Sequence, residues 1–216
     1  LSDLRRQSKP PGEAWKVALV ETHTWDFAED YARQSFLDFG KVLSNQENIE
    51  VDYIELPPKF SEAHQIHATI YERSLANYFK EEFSHGDLIS GEINEMIERG
   101  NQVTPDKYKN AIKDQDLMVR HMDHQMSNFD VMISLSTAGE APLREEAESD
   151  DSGLIWTMTY LPVISAPVFT GPNGLPFGVQ LMARRYNDPL LFRFMEYLGN
   201  VGLIPRGPNP SVNPGI

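Results

Sequence analysis

Serine-based acyl transfer needs a hydroxyl on a backbone that can turn tightly, a base within reach, and N–H groups aimed at the developing oxyanion. The serines of this chain do not offer that pattern. Ser90-Gly91 and Ser152-Gly153 are its only Ser-Gly neighbours, no Gly-Ser pair occurs, and no lysine follows Lys113. A G-x-S-x-G nucleophile elbow is also missing. Lys16 opens an apolar run with no glycine-rich serine loop beside it, so it reads as the solvated end of a strand. The absence of cysteine excludes disulfides, thiolate metal sites and a cysteine nucleophile. His64 with His67, and His121 with His124, stand three residues apart on predicted helices, with Glu72 and Asp123 close in sequence. That spacing puts both imidazoles of a pair on one helix face, where two such faces could build a metal site. The H-E-x-x-H arrangement is absent, and histidines on amphipathic helices are ordinarily surface or satisfied core groups. The sequence therefore predicts no metal and no other cofactor. Gly171-Pro172-Asn173-Gly174 is turn chemistry, and no glycine fingerprint for a phosphate follows Glu21.

The elements that would position any such groups alternate between short apolar runs and helical stripes. Lys16–Glu21 suits a buried strand, Trp25–Leu43 carries apolar residues at helical spacing, and Val51–Leu56 is a second strand closed by Pro57-Pro58. Strand, helix, strand within about 40 residues predicts two parallel strands joined by a right-handed crossover. Ser61 is placed to cap a helix toward Phe83. Ser90–Arg99 predicts a shorter helix stopped by Gly100, and Thr104-Pro105 signals the start of a long one. Phe129–Ser136 returns as a strand, Arg144–Asp151 as an acidic loop, and Asp188-Pro189 starts a last helix ended by Gly199 or Gly202. Pro162–Phe169 and Phe177–Ala183 are apolar runs about the Pro172-Asn173-Gly174 turn, with Pro167 implying an edge strand or a bulge. The fold class expected is α/β: a layered α/β/α arrangement with a mixed, partly parallel sheet of about five strands and about five helices. Residues 1–15 read as a linker, 16–202 as the folded part, and 203–216 as a Pro- and Gly-rich tail.

A formal net charge of −13 opposes attraction to nucleic-acid phosphates or anionic membranes. No apolar run approaches the roughly 20 residues of a membrane helix, and Leu1–Gly12 lacks the apolar stretch of a signal peptide. A cytoplasmic protein with neither nucleic-acid nor membrane partners is expected.

Three blocks carry a family resemblance. They are Lys16-Val17-Ala18-Leu19-Val20 followed by Trp25-Asp26, then Phe129-Asp130-Val131 through Ser136-Thr137-Ala138-Gly139-Glu140-Ala141-Pro142, and finally Trp156-Thr157, Leu161-Pro162 and Gly174-Leu175-Pro176-x-Gly178-Val179-Gln180-Leu181. Over roughly Lys16–Gly202 the chain resembles the C-terminal portion of the amidase signature family, whose members hydrolyse amide C–N bonds with a Ser–Ser–Lys triad. The fold implied is a partial version of the amidase signature fold. The resemblance implies that Thr137, Ala138 and Gly139, with Trp156 and Tyr160, face a substrate pocket. It also places Asp150 and Asp151 loosely near a carboxylate with which the amidase-type subunits of glutamyl-tRNA amidotransferases recognise substrate, although a solvated acidic loop is the plainer reading. Tyr160 departs from the family, which usually has glycine before Leu-Pro.

The triad belongs to a Gly/Ser-rich segment of the G-G-S-S-G-G-S type upstream in the family. No position here matches that segment, so no catalytic residue is assigned. The chain is expected to supply scaffold and pocket wall to an N-terminal catalytic half, in the same or a separate polypeptide, and through it to act on a small amide. It could be a truncated chain, a split gene product or a natural pseudo-enzyme. Apolar surface left where that half would pack predicts self-association. The competing readings are a non-catalytic, amidase-derived scaffold or interaction protein and a flavodoxin-like binding module, for which Thr22-His23-Thr24 makes a poor phosphate loop.

Overall fold

The computed structural model describes residues 14–146, 150 and 152–205. The rest of the expected linker and tail, together with Asp151, lies outside the described residues. The chain divides into two compact units, one holding the sheet (up to Pro57 and again from Asp123) and one running from Pro58 to Met122.

The sheet unit starts with β1 (Trp15–Glu21) and β2 (Ile49–Glu55), which pair in parallel from Trp15↔Ile49 to Glu21↔Glu55. They flank helix α1 (Asp30–Ser44), so the predicted βαβ unit forms. Its helix starts later than Trp25 because Trp25–Phe27 is a 3-10 turn and Ala28 and Glu29 are extended. β3 (Val131–Leu135) joins β1 in parallel; β5 (Pro176–Met182) runs antiparallel to β3, and β4 (Val163–Thr170) antiparallel to β5. The order is β2-β1-β3-β5-β4, a mixed five-stranded sheet, and the fold class is α/β as expected.

Burial follows the pleat. Val17, Leu19, Val131, Ile133, Val179 and Leu181 point into one core. The stripe of α1 (Ala32, Phe36, Phe39, Leu43) and that of the last helix (Asp188–Asn200; Leu190, Leu191, Phe194, Leu198) cover them. Trp15 packs on Phe194 at 5.0 Å between ring centroids. Fully burying such a side chain contributes about 1.5–3 kcal/mol. On the other face, Ser134 accepts a hydrogen bond from Trp156 Nε1 at 3.2 Å, so the short helix Gly153–Met158 covers β3 there. The sequence reading missed this six-residue helix. Pro167 fulfils its reading, since the β4–β5 register shifts between Ala166 and Phe169 on an edge strand. Gly178 makes the bulge possible: a Cβ there would stand 1.9 Å from Ala166 O.

The second unit is helical, with α2 (Ala63–Tyr78), α3 (Lys80–Phe83), α4 (Gly91–Gln102) and most of α5 (Pro105–Met126). The helix and cap signals at Ser90 and Thr104 hold, as Ile93 N–H donates to Ser90 Oγ and Lys107 N–H to Thr104 Oγ1. Two expectations fail. Ser61 donates to Pro58 O in a 3-10 turn instead of capping α2, which stops at Tyr78. Gly100 lies inside α4 because a Cβ there would meet Glu72 O at 1.9 Å, so it serves close helix packing and not termination.

Candidate functional site

The loop after β3 leaves from the carboxyl ends of the parallel strands β1 and β3, the edge at which open α/β sheets hold ligands. Its conformation is pinned residue by residue. Ser136 donates to Gly178 O through both its N–H and its Oγ, at 2.9 Å each. Thr137 Oγ1 donates to Gly139 O at 2.8 Å, and Ala138 O accepts the N–H of Glu29 at 2.8 Å. That last bond explains why Glu29 is extended and α1 begins only at Asp30. Tyr31, on the first turn of α1, accepts the Glu140 N–H on its hydroxyl at 2.8 Å. A Cβ at position 139 would stand 2.3 Å from that hydroxyl, so a larger residue there would displace the tyrosine tip.

The hairpin forms the facing wall. Gly171 N–H donates to Leu175 O and Gly174 N–H to Gly171 O, with Gly174 at φ +84°, as a tight Pro-Asn-Gly turn requires. The Glu140 carboxylate accepts the N–H groups of Asn173 at 2.8 Å and Leu175 at 3.4 Å, tying the hairpin tip to the loop. Beneath them Phe177 meets Tyr31 edge-on at 5.5 Å and Phe169 at 5.1 Å. Between loop and hairpin lies a cleft of about 680 Å³, bounded also by Glu29, Tyr31 and the Ser165–Pro167 stretch of β4.

Of the five residues expected at a pocket, Thr137, Ala138 and Gly139 line this cleft. Trp156 and Tyr160 do not. Trp156 is wholly buried, in a chain of hydrogen bonds that continues from Ser134 Oγ to Ser152 Oγ (3.0 Å) and on to Leu135 O (2.8 Å). Tyr160 is exposed and holds φ +59°. Glu29, Tyr31 and Glu140 do the positioning that sequence reasoning assigned to no residue. Tyr31 falls within the helically spaced apolar residues of Trp25–Leu43, and its polar tip is the clue such a stripe offers. Asp150 lies beside Thr22, Thr24, Thr137 and Ser152 around a separate space of about 10 Å³, enough for one water.

Among the described lining residues no hydroxyl is paired with a lysine or histidine. Ser136 and Thr137 both donate to backbone carbonyls, and the charged groups lining it are Glu29, Glu140 and Glu146, with no lysine, arginine or histidine among the lining residues. Such a wall can orient a neutral or cationic group and exclude water. The histidine pairs fare no better as metal ligands. His67 is stacked on Tyr71 at 5.3 Å, and burial, then the neighbouring His64, holds its pKa below the usual histidine value. Glu72 accepts from Arg99 and Asp123 from Arg185, so the two carboxylates near the pairs are engaged. Among the described residues no three His, Cys, Asp or Glu side chains gather as a metal site would require. Nor, among them, is any helix long and apolar enough to cross a membrane.

A family model described as Amidase matches residues 2–192. One component of the glutamyl-tRNA(Gln) amidotransferase of Brachyspira hyodysenteriae is 27% identical over 95 residues, which are 40% of this chain and 20% of that one. Among solved structures, Kluyveromyces lactis allophanate hydrolase superposes with a TM-score of 0.76 at 12% identity, covering 90% of this chain and 33% of that one. The corresponding glutamyl-tRNA(Gln) amidotransferase component from Thermotoga maritima gives 0.65 at 20% identity, covering 84% and 41%. At these identities the likeness to both structures is one of fold. The chain spans less than half the length of each of these three proteins.

Proposed function

The chain belongs to the amidase family, and from that premise we propose that it is the C-terminal portion of an amide-hydrolysing protein, furnishing scaffold and one wall of the substrate cleft. The observation that supports this reading is the cleft itself: its two walls are the Ser136–Pro142 loop and the Leu175–Gly178 part of the hairpin, which fall in two of the three blocks in which the sequence resembles the family. The reaction adds water across the carbonyl carbon and breaks the C–N bond, leaving a carboxylate and ammonia or an amine. The nucleophile, its base and the oxyanion donors come from a Gly/Ser-rich N-terminal half with its lysine, which no residue of this chain replaces. The role of this portion is to hold the amide while that half acts. Glu140 keeps loop and hairpin in register, Tyr31 and Gly139 fix the loop against α1, and the phenylalanines under the hairpin keep the wall dry. Positioning of this kind can account for a large share of a catalysed rate.

The test is turnover of simple carboxamides. Purified chain alone should release no ammonia or carboxylate, while the chain joined to or mixed with its N-terminal half should do so. Hydrolysis by the isolated chain would overturn the reading. An assembled protein without activity would favour a non-catalytic scaffold instead.

A further inference from the structure

The hairpin tip that walls the cleft carries a dipeptide with chemistry of its own. Asn173-Gly174 is the one Asn-Gly pair among the twelve asparagines of the sequence. The backbone nitrogen after an asparagine can reach that residue's side-chain carbonyl carbon, and glycine sets no Cβ beside the attacking nitrogen. Both residues are exposed. Apart from the adjacent residues, no atom lies within 4 Å of the place a Cβ on Gly174 would occupy, so a new ring and water have room there. The turn nevertheless holds the nitrogen back. Gly174 N–H donates to Gly171 O at 3.0 Å and Gly171 N–H to Leu175 O at 2.9 Å, a β-turn followed by a left-handed glycine at φ +84°. On either side of Gly174, the Glu140 carboxylate accepts the N–H groups of Asn173 and Leu175. That clasp is close: a Cβ at position 171 would stand 2.0 Å from Glu140 Oε1. Three successive N–H groups are tied, and the middle one must come free before its nitrogen can attack.

We infer that Asn173 is a site of spontaneous deamidation gated by the Glu140 clasp, and that its product releases the hairpin tip from the Ser136–Pro142 loop. In the opened turn the Gly174 nitrogen gives up its proton and bonds to Cγ of Asn173. The Cγ–Nδ2 bond breaks, ammonia leaves with that proton, and a succinimide ring closes. Water then opens the ring at one of its two carbonyls, leaving aspartate or isoaspartate at position 173. Water enters, ammonia departs, and nothing is oxidised or reduced. Either product sets a second carboxylate beside Glu140, where like charges repel. Isoaspartate also routes the main chain through the side-chain methylene and lengthens the turn. The clasp that slows the reaction is weakened by its product, so the change runs one way and loosens one wall of the cleft. Neither the reaction nor this loosening depends on which amide the cleft holds.

The test ages the full polypeptide at mildly alkaline pH and maps its peptides by mass spectrometry, with isoaspartyl methyltransferase labelling as the marker for isoaspartate. The exchange of NH₂ for OH is expected at Asn173 ahead of the other eleven asparagines. The same protein in urea sets the rate of an open turn, and the folded protein should run below it. Glu140→Gln should raise the folded rate about five- to tenfold, in step with faster amide exchange at Asn173 and Leu175. Asn173→Asp, which makes one product directly, should speed exchange at Leu175 severalfold without ageing. Conversion at Asn173 no faster than at the other asparagines would remove the site. A folded rate equal to that in urea, or a Glu140→Gln rate equal to the parent's, would remove the gate. Unchanged exchange at Leu175 in Asn173→Asp would remove the release.

Discussion

Tyr160 and Gly202 close two helices by the same hydrogen-bond pattern, and only one of them is suited to it. After the last helix, Gly202 N–H reaches Gly199 O and Leu203 N–H reaches Leu198 O, with Gly202 at φ +77°. After Gly153–Met158, Tyr160 N–H reaches Thr157 O and Leu161 N–H reaches Trp156 O, with Tyr160 at φ +59°. Both are Schellman closures, whose left-handed position favours glycine. This supplies a physical reason for the family's usual glycine before Leu-Pro and shows what the tyrosine costs here. A left-handed residue with a Cβ pays about 1–2 kcal/mol, of which glycine's extra freedom in the unfolded chain returns roughly 0.5–1. Tyr160 is 58% exposed, so little packing is lost on its removal. Tyr160→Gly should therefore stabilise the protein by about 1 kcal/mol, read as a higher urea midpoint at unchanged slope. A lower midpoint would mean that the ring makes contacts worth more than the strain.

At the scale of elements, the cleft depends on one carboxylate joining two segments distant in sequence. Glu140→Gln keeps one acceptor oxygen but places an NH₂ where the second N–H must be accepted, and removes the charge. Amide exchange at Asn173 and Leu175 should accelerate about five- to tenfold, on the order of 1 kcal/mol for an exposed, charge-assisted pair. Val179 and Leu181, deep in β5, should keep their protection; if they exchange faster too, Glu140 supports the sheet and not the hairpin tip. Elements of this kind divide cleanly by what a sequence can encode. The βαβ opening, the Thr104 cap, the hairpin turn and the Pro167 bulge are local signals, and each is found where its residues predict it. The errors come from non-local causes. Gly100 resembles a helix stop until the backbone of Glu72 is seen against it. The burial of Trp156 likewise rests on Ser134, 22 residues away, which takes its N–H. Glu29 and Tyr31 gain their roles from a loop more than 100 positions later, a contact that no periodicity encodes.

Over the whole molecule, 32 acidic residues stand against 19 basic ones, and the fold brings some of the acids together. The parallel register sets Glu21 opposite Glu55 at the carboxyl ends of β1 and β2. Partial burial, then the charges of Glu55 and Asp26, raises the pKa of Glu21 above its ordinary value. The folded state therefore holds this proton more tightly than the unfolded chain. The stability it contributes is fully present below the unfolded value and is lost as pH rises through the raised folded one. At neutral pH the ionised Glu21 works against folding. Glu21→Gln removes that charge at the same size and should raise the urea midpoint at pH 7. The gain should shrink with acidification and vanish below about pH 4, where the unfolded carboxyl is itself protonated. Because burial is the largest single cause, part of the gain should survive in 0.5 M salt, which screens charge pairs across solvent and does not restore lost hydration. Equal gains at pH 4 and pH 7 would show that the variant acts through packing, and a gain abolished by salt would put the repulsion from Glu55 and Asp26 ahead of desolvation.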